Sequence, residues 1–242
     1  MSYRRKIRQG IVSAVIALSL NAGFVNAAPF VIAEQGSFTV GGSYKQHEGT
    51  FSQEKFLSED GQRAYGDFAY LEYQKPEKAK KLPLIFQHGG AQSKRTWEST
   101  PDGREGFNTM FLRAGYSVYL IDQPRTGEAN LSTEAVTSDT PWASNPMYGD
   151  KTLYILSRVG HYDENGNPVP NSQFPAGEKN YQAFQQSWTI GSGPLDNDLN
   201  AAVLTKLFQQ QKDGAILVTH SMGGTIGWRN SPPLRCVRAA SE

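Results

Sequence analysis

Residues 82–87 form a short apolar run that stops sharply at His88, Gly89 and Gly90, the pattern of a buried strand delivering the chain into a tight loop. Residues 116–122 repeat the pattern, with Asp122, Gln123 and Pro124 closing the run at the same side of a sheet. A third run, residues 215–218, passes at once into Thr219, His220, Ser221, Met222, Gly223 and Gly224. Between the runs the spacing becomes helical. Phe107, Met110, Phe111 and Ala114 follow Asp102, a candidate N-cap, and Gly115 stands just past them, so a helix with this stripe in the core is expected. Pro194 and Asp196 open a second helix, in which Leu199, Ala202, Val203 and Leu207 share a face up to Lys212 before Gly214 stops it. Strand, crossover helix and strand, repeated, imply a parallel sheet with right-handed connections.

Three segments depart from that rhythm. Residues 29–73 are rich in aromatic and β-forming side chains, Phe68 and Tyr70 alternating with their neighbours, and predict an antiparallel hairpin region with Gly41 and Gly42 offering a turn. Residues 73–81, with Pro76 amid several lysines, predict a solvated turn. From 124 to 193 the periodicity fades, while Trp142, Tyr148, Tyr154, Tyr162, Phe174 and Trp188 are scattered among Pro, Ser, Asn and Gly. A structureless loop of that length is unusual in a compact domain, so a cap-like excursion with some helix is expected over one end of the sheet.

Composition narrows the class. At 242 residues, with 38% hydrophobic content, the chain is long enough for one domain with a real core. The net charge of +1 hides a basic leader of Arg4, Arg5, Lys6 and Arg8; without these four, 20 basic face 23 acidic side chains. No basic stripe remains, and no nucleic-acid partner is expected. Residues 1–27 read as a secretory signal peptide: a basic opening, an apolar run from 11 to 20 too short to span a bilayer, then Val25, Asn26 and Ala27 before the cleavable bond. Export to the periplasm or beyond is therefore expected, with no stable membrane anchor after the leader is removed. The Arg4 and Arg5 pair also admits twin-arginine export. The single cysteine, Cys236, allows no intrachain disulfide and reads as a thiol without a role. No cluster of His, Asp or Glu has ligand spacing, so neither metal nor cofactor is expected.

The chemistry concentrates at Ser221. A serine at the tip of a strand-to-helix turn, with Thr219 and His220 before it and Met222 and Gly223 after it, is the pattern of a nucleophile elbow. Gly223 meets the need for a small side chain there, and Gly224 is expected to let the helix come close. Thr219 stands where glycine is usual and is tolerable only if it does not crowd that helix. With the turn at 87–90, the strand ending at 120–124 and this elbow in order, residues 36–227 resemble the α/β-hydrolase superfamily, in particular its secreted bacterial esterase-type members.

That resemblance implies an α/β fold: a mostly parallel central sheet flanked by helices, after an N-terminal hairpin region, with an excursion at 124–193. It implies that Ser221 attacks an ester or related acyl carbonyl in a small-molecule substrate and becomes acylated. Backbone N–H groups of Met222 and of the turn around Gly89 and Gly90 would hold the oxyanion. His88 is expected to support its loop, His220 to point away from the cleft and pack, and His47 and His161 to lie at the surface.

The resemblance also implies an acid and then a histidine after the serine. Here 21 residues follow Ser221, none is histidine, and Glu242 is the sole carboxylate. After Trp228 the pattern turns irregular, with Pro232 and Pro233, so residues 28–228 are expected to be a partial hydrolase domain, residues 229–242 an irregular tail, and the chain a truncated copy with impaired activity. Two other classes stay open: a non-catalytic binding protein that keeps the cleft, and a sugar-binding surface module suggested by Trp97, Trp142 and Trp188.

Overall fold

A computed structural model describes residues 29–135, 149–171 and 173–229, and its helices and strands all belong to one compact unit that begins at Ile32. The leader, Trp142, Tyr148, Cys236, Glu242 and the tail from 230 on lie outside the described residues. In chain order the elements are β1 (Ile32–Gln46), β2 (Arg63–Pro76), β3 (Leu84–Gln87), α1 (Phe107–Arg113), β4 (Val118–Asp122), α2 (Asp150–Leu156), β5 (Gly160–Tyr162), β6 (Pro168–Pro170), α3 (Glu178–Gln186), α4 (Asn197–Gln209), β7 (Ile216–Thr219) and α5 (Met222–Arg229).

The main sheet runs β1-β2-β4-β3-β7. β4, β3 and β7 are parallel, joined by helical crossovers as the alternation of patterns requires. The hairpin of β1 and β2 does not stand apart but extends the same sheet, β2 lying antiparallel on β4 from Tyr70↔Asp122 to Gln74↔Val118. The sheet is therefore mixed, with a parallel half that carries the strand-to-helix corners.

Gly41 and Gly42 are not the hairpin turn. Both lie inside β1, at φ 82 and 98, and the chain reverses over residues 47–62 instead. At this level Asp67 on β2 also has a positive φ, 61, so the pair of strands coils sharply. A Cβ on Gly41 would stand 2.7 Å from Val203 Cγ2, so the glycine is there to let α4 approach.

α4 supplies one layer of the core. Ala201, Val203, Leu204, Leu207 and Phe208 bury against Val40, Ala69, Leu71, Ile85, Tyr119 and Ile121, and each large aliphatic so buried contributes about 1.5–3 kcal/mol. The stripe is rotated from the expected one: Ala202 is exposed, while Ala201, Leu204 and Phe208 face the sheet. Asp196 caps the helix, its Oδ1 accepting the N–H groups of Asp198 (3.0 Å) and Leu199 (2.9 Å).

On the other face Phe86 packs against Trp97 and Phe111, with ring centroids 5.1 and 5.6 Å away. Here α1 begins at Gly106, not under an Asp102 cap, because Asp102 is engaged by Thr100 and Arg104 in the preceding turn. The helix has only seven residues and meets the sheet along one line, so Leu112 is buried while Phe107 and Met110 are 48% and 53% exposed. Trp97 is 6% exposed and belongs to this layer, which removes it as a sugar platform.

The segment from 124 to 193 holds α2, α3 and the small β5–β6 hairpin. Among its described residues the aromatic side chains pack on one another: Tyr154 on Tyr162 and Tyr181, and Phe184 on Phe174 and Trp188. Thr189 N–H donates to Ala91 O at 3.0 Å, tying the end of this segment to the turn after β3. Among the described residues no helix is long and apolar enough to cross a membrane.

The turn after β4 is locked by a buried ion pair. Arg125 Nε and Nη2 donate to the two carboxylate oxygens of Asp67, each at 2.8 Å, and Thr133 adds its hydroxyl and its N–H. Burial alone would raise the Asp67 carboxyl; the Arg125 and Thr133 donors outweigh it and hold the group below the usual aspartate range. A depressed folded value stabilises above the unfolded pKa of about 3.9, and that contribution is lost as pH falls through the lower folded value. Urea titrations at a series of acidic pH values should show this loss in the wild-type chain and a flatter profile in Asp67→Asn. Asp67→Ala, which leaves Arg125 buried and unpaired, should cost about 3–5 kcal/mol.

Candidate active site

Parallel pairing of β3 with β7 ends at Gln87↔Thr219, so the two strands release their turns side by side. His220 N–H donates to Gln87 O at 3.2 Å and carries the register one residue further. Ser221 follows at φ 50, a left-handed conformation that costs a side-chain-bearing residue about 1–3 kcal/mol, and α5 begins at the next residue. Met222 is the first residue of that helix, where N–H groups have no intrahelical partner. Opposite lies the turn of His88, Gly89, Gly90 and Ala91, the last at φ 53.

Close packing explains the glycines. A Cβ on Gly89 would lie 3.1 Å from Ser221 Cβ, and one on Gly90 would lie 3.4 Å from Met222 Cε, so the turn rests against the corner. At Gly223 a Cβ would stand 2.6 Å from His88 O and 2.9 Å from Gln87 Cγ, leaving no space for any side chain. Gly224, expected to admit the helix, is not the tight position: its nearest neighbour would be Thr219 Oγ1 at 3.6 Å. At Gly227 a Cβ would meet Leu217 Cδ2 at 3.0 Å and Thr219 Cγ2 at 3.4 Å. Thr219 is accommodated because the helix presents glycines, 224 and 227, to its side chain.

His88 is fully buried. Its Nδ1 lies 2.8 Å from Gly89 O, which can only accept, so Nδ1 carries the hydrogen and Nε2 faces Gln123 N–H at 3.5 Å. Burial pushes the imidazole pKa down, which keeps the ring neutral. His220 departs from its expected packing role: it is exposed, and Nδ1 approaches Gln92 Oε1 at 3.1 Å. His47 pairs with Glu59 at 3.1 Å, and His161 sits in β5. Among the described residues these histidines do not form a base–acid relay at Ser221. Gly89, expected among the oxyanion donors, already gives its N–H to Gln92 Oε1 at 3.3 Å.

The sequence pattern gave little sign of the support beneath the turn. Asp122, at the end of β4, accepts Lys94 N–H at 2.7 Å and Glu128 N–H at 2.9 Å. Lys94 is itself buried, and its Nζ reaches Glu128 at 2.5 Å and Glu72 at 3.3 Å. Burial opposes the lysine charge, but Glu128, Asp122 and Glu72 together hold its pKa above the ordinary value. The one local signal was an aspartate directly ahead of Gln123 and Pro124 at a strand end. Its lysine partner lies 28 residues earlier in the chain.

Two hollows lie elsewhere. One of about 720 Å³ is lined by Asp67, Arg125, Pro194, Asp196, Leu199 and Arg229 among others. Another of about 430 Å³ lies over β2 and β4 beside Glu72, Glu98 and Asn108. Neither lining includes Ser221, so the serine corner lies outside both hollows. Among the described residues no group of three or more His, Cys, Asp or Glu side chains is arranged to hold a metal.

Strand, left-handed serine and helix beside a glycine turn at the ends of parallel strands define the corner of an α/β-hydrolase. The fold is that of the α/β-hydrolases, and the proteins this chain resembles agree with that placement. It is 29% identical over 231 residues to a protein described as a "Probable secreted lipase phiG" of Fungal sp. (strain ATCC 74256), an alignment covering 90% of this chain and 55% of that one. Its fold matches that of a novel bacterial esterase of known structure with a TM-score of 0.68 and 29% identity, over 86% of this chain and 66% of that chain. The peroxisomal α/β-hydrolase Lpx1 of Saccharomyces cerevisiae, at a TM-score of 0.30 and 12% identity over 82% and 40% of the two chains, is too distant to carry an argument. No protein-family profile matches. The chain thus spans about half the length of its curated relative and just under two thirds of the esterase.

The glycine geometry predicts a contrast. Gly223→Ala should force α5 off Gln87 and His88 and destabilise the fold by about 1–3 kcal/mol. Gly224→Ala should be neutral, or stabilising by up to about 1 kcal/mol through helix propensity. Denaturant midpoints of the two variants check this directly.

Proposed function

We propose that the protein is an exported serine hydrolase of carboxylic esters or related acyl compounds, working through an acyl-enzyme at Ser221. The observation that carries this reading is the left-handed Ser221 between β7 and α5, in contact range of the Gly89–Gly90 turn. Esterase and lipase relatives point to the same reaction class, and the curated relative, described as secreted, agrees with a leader at residues 1–27.

In that reaction Ser221 Oγ attacks the acyl carbon and the carbonyl oxygen takes up negative charge. In this reading the N–H groups of Met222 and Gly90 would hold that charge. Expulsion of the alcohol leaves the acyl group on Ser221, and water then releases the acid. A serine hydroxyl is a weak nucleophile unless a base takes its proton. Among the described residues His88 is buried and turned to Gly89 O, and His220 Nδ1 is directed to Gln92, so neither is set as that base. The same arrangement favours the second reading, a binding protein that keeps the cleft without the chemistry.

Prolonged exposure to a fluorophosphonate, followed by peptide mass mapping, should place a slowly formed adduct on Ser221, absent in Ser221→Ala. Turnover of a 4-nitrophenyl ester should lie about 10⁴–10⁶ below that of a complete triad. An unmodified Ser221 would remove the nucleophile and leave the binding reading.

A further inference from the structure

We infer that Gln92 is a positioning residue of this corner: its side-chain amide clamps the turn after β3 to the residue before the nucleophile and takes Gly89 N–H out of oxyanion binding. This rests on the reading of Ser221 as nucleophile. Gln92 lies three residues past Gly89, and its side chain folds back over the turn. Oε1 accepts Gly89 N–H at 3.3 Å and stands 3.1 Å from His220 Nδ1. Nε2 donates to Thr96 Oγ1 at 3.3 Å, in the 3₁₀ turn Lys94–Trp97. One amide therefore joins three segments of chain.

The orientation of that amide is fixed by its partners. Gly89 N–H can only donate, so the reverse orientation would set two donors face to face. The oxygen in turn requires the hydrogen of His220 on Nδ1, and the exposed imidazole is held by this contact instead of packing. Gly89 is the pivot: a Cβ there would stand 3.0 Å from Gln92 Oε1, 3.0 Å from His220 Nδ1 and 3.1 Å from Ser221 Cβ. Amide, imidazole and nucleophile thus converge on a volume that only glycine leaves open.

Two consequences follow for the reaction. With Gly89 N–H engaged, the oxyanion donors are Gly90 and Met222, which lie close across the corner, since a Cβ on Gly90 would stand 3.4 Å from Met222 Cε. Their separation depends on how firmly the turn is held to β7. The bond from His220 N–H to Gln87 O fixes the base of the two turns, and Gln92 fixes them above it. Sub-ångström placement of such donors governs rate, because misplacement by about 1 Å costs up to about a hundredfold.

The test compares the full chain with Gln92→Met, which keeps the volume and loses the acceptor, and Gln92→Glu, which restores an acceptor oxygen at the same reach. Two readouts are needed: hydrogen exchange at the Gly89 amide, and the rate of fluorophosphonate adduct formation at Ser221. Gln92→Met should speed Gly89 exchange and slow labelling, each by about tenfold, the scale of one lost hydrogen bond. Gln92→Glu should bring both within about threefold of wild type, a rescue that mere packing would not give. Labelling of Gln92→Met at or above the wild-type rate, or unchanged Gly89 exchange, overturns the clamp. Failure of every variant to label at Ser221 removes the nucleophile instead, and Gly89 exchange still decides whether the clamp exists.

Discussion

Pairing of β3 with β7 is the constraint on which the site depends. Because the strands are parallel and end level at Gln87 and Thr219, their turns emerge on one side of the sheet at the same height. A slip of two residues along either strand would carry Ser221 about 6.6 Å from the glycine turn, beyond reach of any shared substrate oxygen. The helix that follows must then cross directly over Gln87 and His88, and Gly223 makes that crossing possible. A hydroxyl displayed at the tip is the outcome of register, a left-handed residue and a missing side chain, each depending on the one before.

Fixing a turn in direction takes polar contacts, since hydrophobic burial holds elements together without aiming them. Asp122 and Lys94 serve the turn after β3, and Asp67 and Arg125 serve the turn after β4. In both cases a buried charge is matched by a countercharge and by backbone N–H groups, the condition under which such a charge is tolerable. The three parallel strands each hand the chain to a side-chain-bearing residue of positive φ: Ala91, Arg125 and Ser221. Strain of this kind persists only where neighbouring contacts outweigh it.

Much of this was legible because short continuous apolar runs, each closed by turn residues, suit strands buried on both faces. The runs before His88, Gln123 and Thr219 became β3, β4 and β7 within two residues at each end. The corner was legible for a similar reason: a serine directly after such a run, with glycines two and three residues on, marks a chain that must turn tightly from strand into helix. What misled were residues whose local and tertiary uses coincide. Gly41 and Gly42 suit a turn, but they serve the approach of Val203 and the coiling of the hairpin. Asp102 suits a helix cap, but Arg104 and Thr100 claim it. Helical spacing alone placed Ala202 in the core, whereas the sheet selects the neighbouring stripe through Ala201, Leu204 and Phe208. The contacts of Lys94 and Gln92 join residues far apart in sequence, and periodicity carries no trace of them.

The position of β7 gives those contacts their weight. All four residues of β3 are buried, whereas those of β7 are half-buried or exposed, and among the described residues β7 is the outermost strand on its side. A strained serine there is held by fewer neighbours than one at the middle of the sheet would be. Its restraints come from three directions: β3 through the register bond at Gln87, α4 through the ion pair of Asp198 with Arg229 at the far end of α5, and the turn after β3 through Gln92. The ion pair is exposed and so contributes little, on the order of 0–1 kcal/mol. Holding a left-handed residue against about 1–3 kcal/mol of strain therefore falls mainly to the backbone pairing and to the packing of Gly223 on His88, with the Gln92 amide setting the final alignment of the two turns.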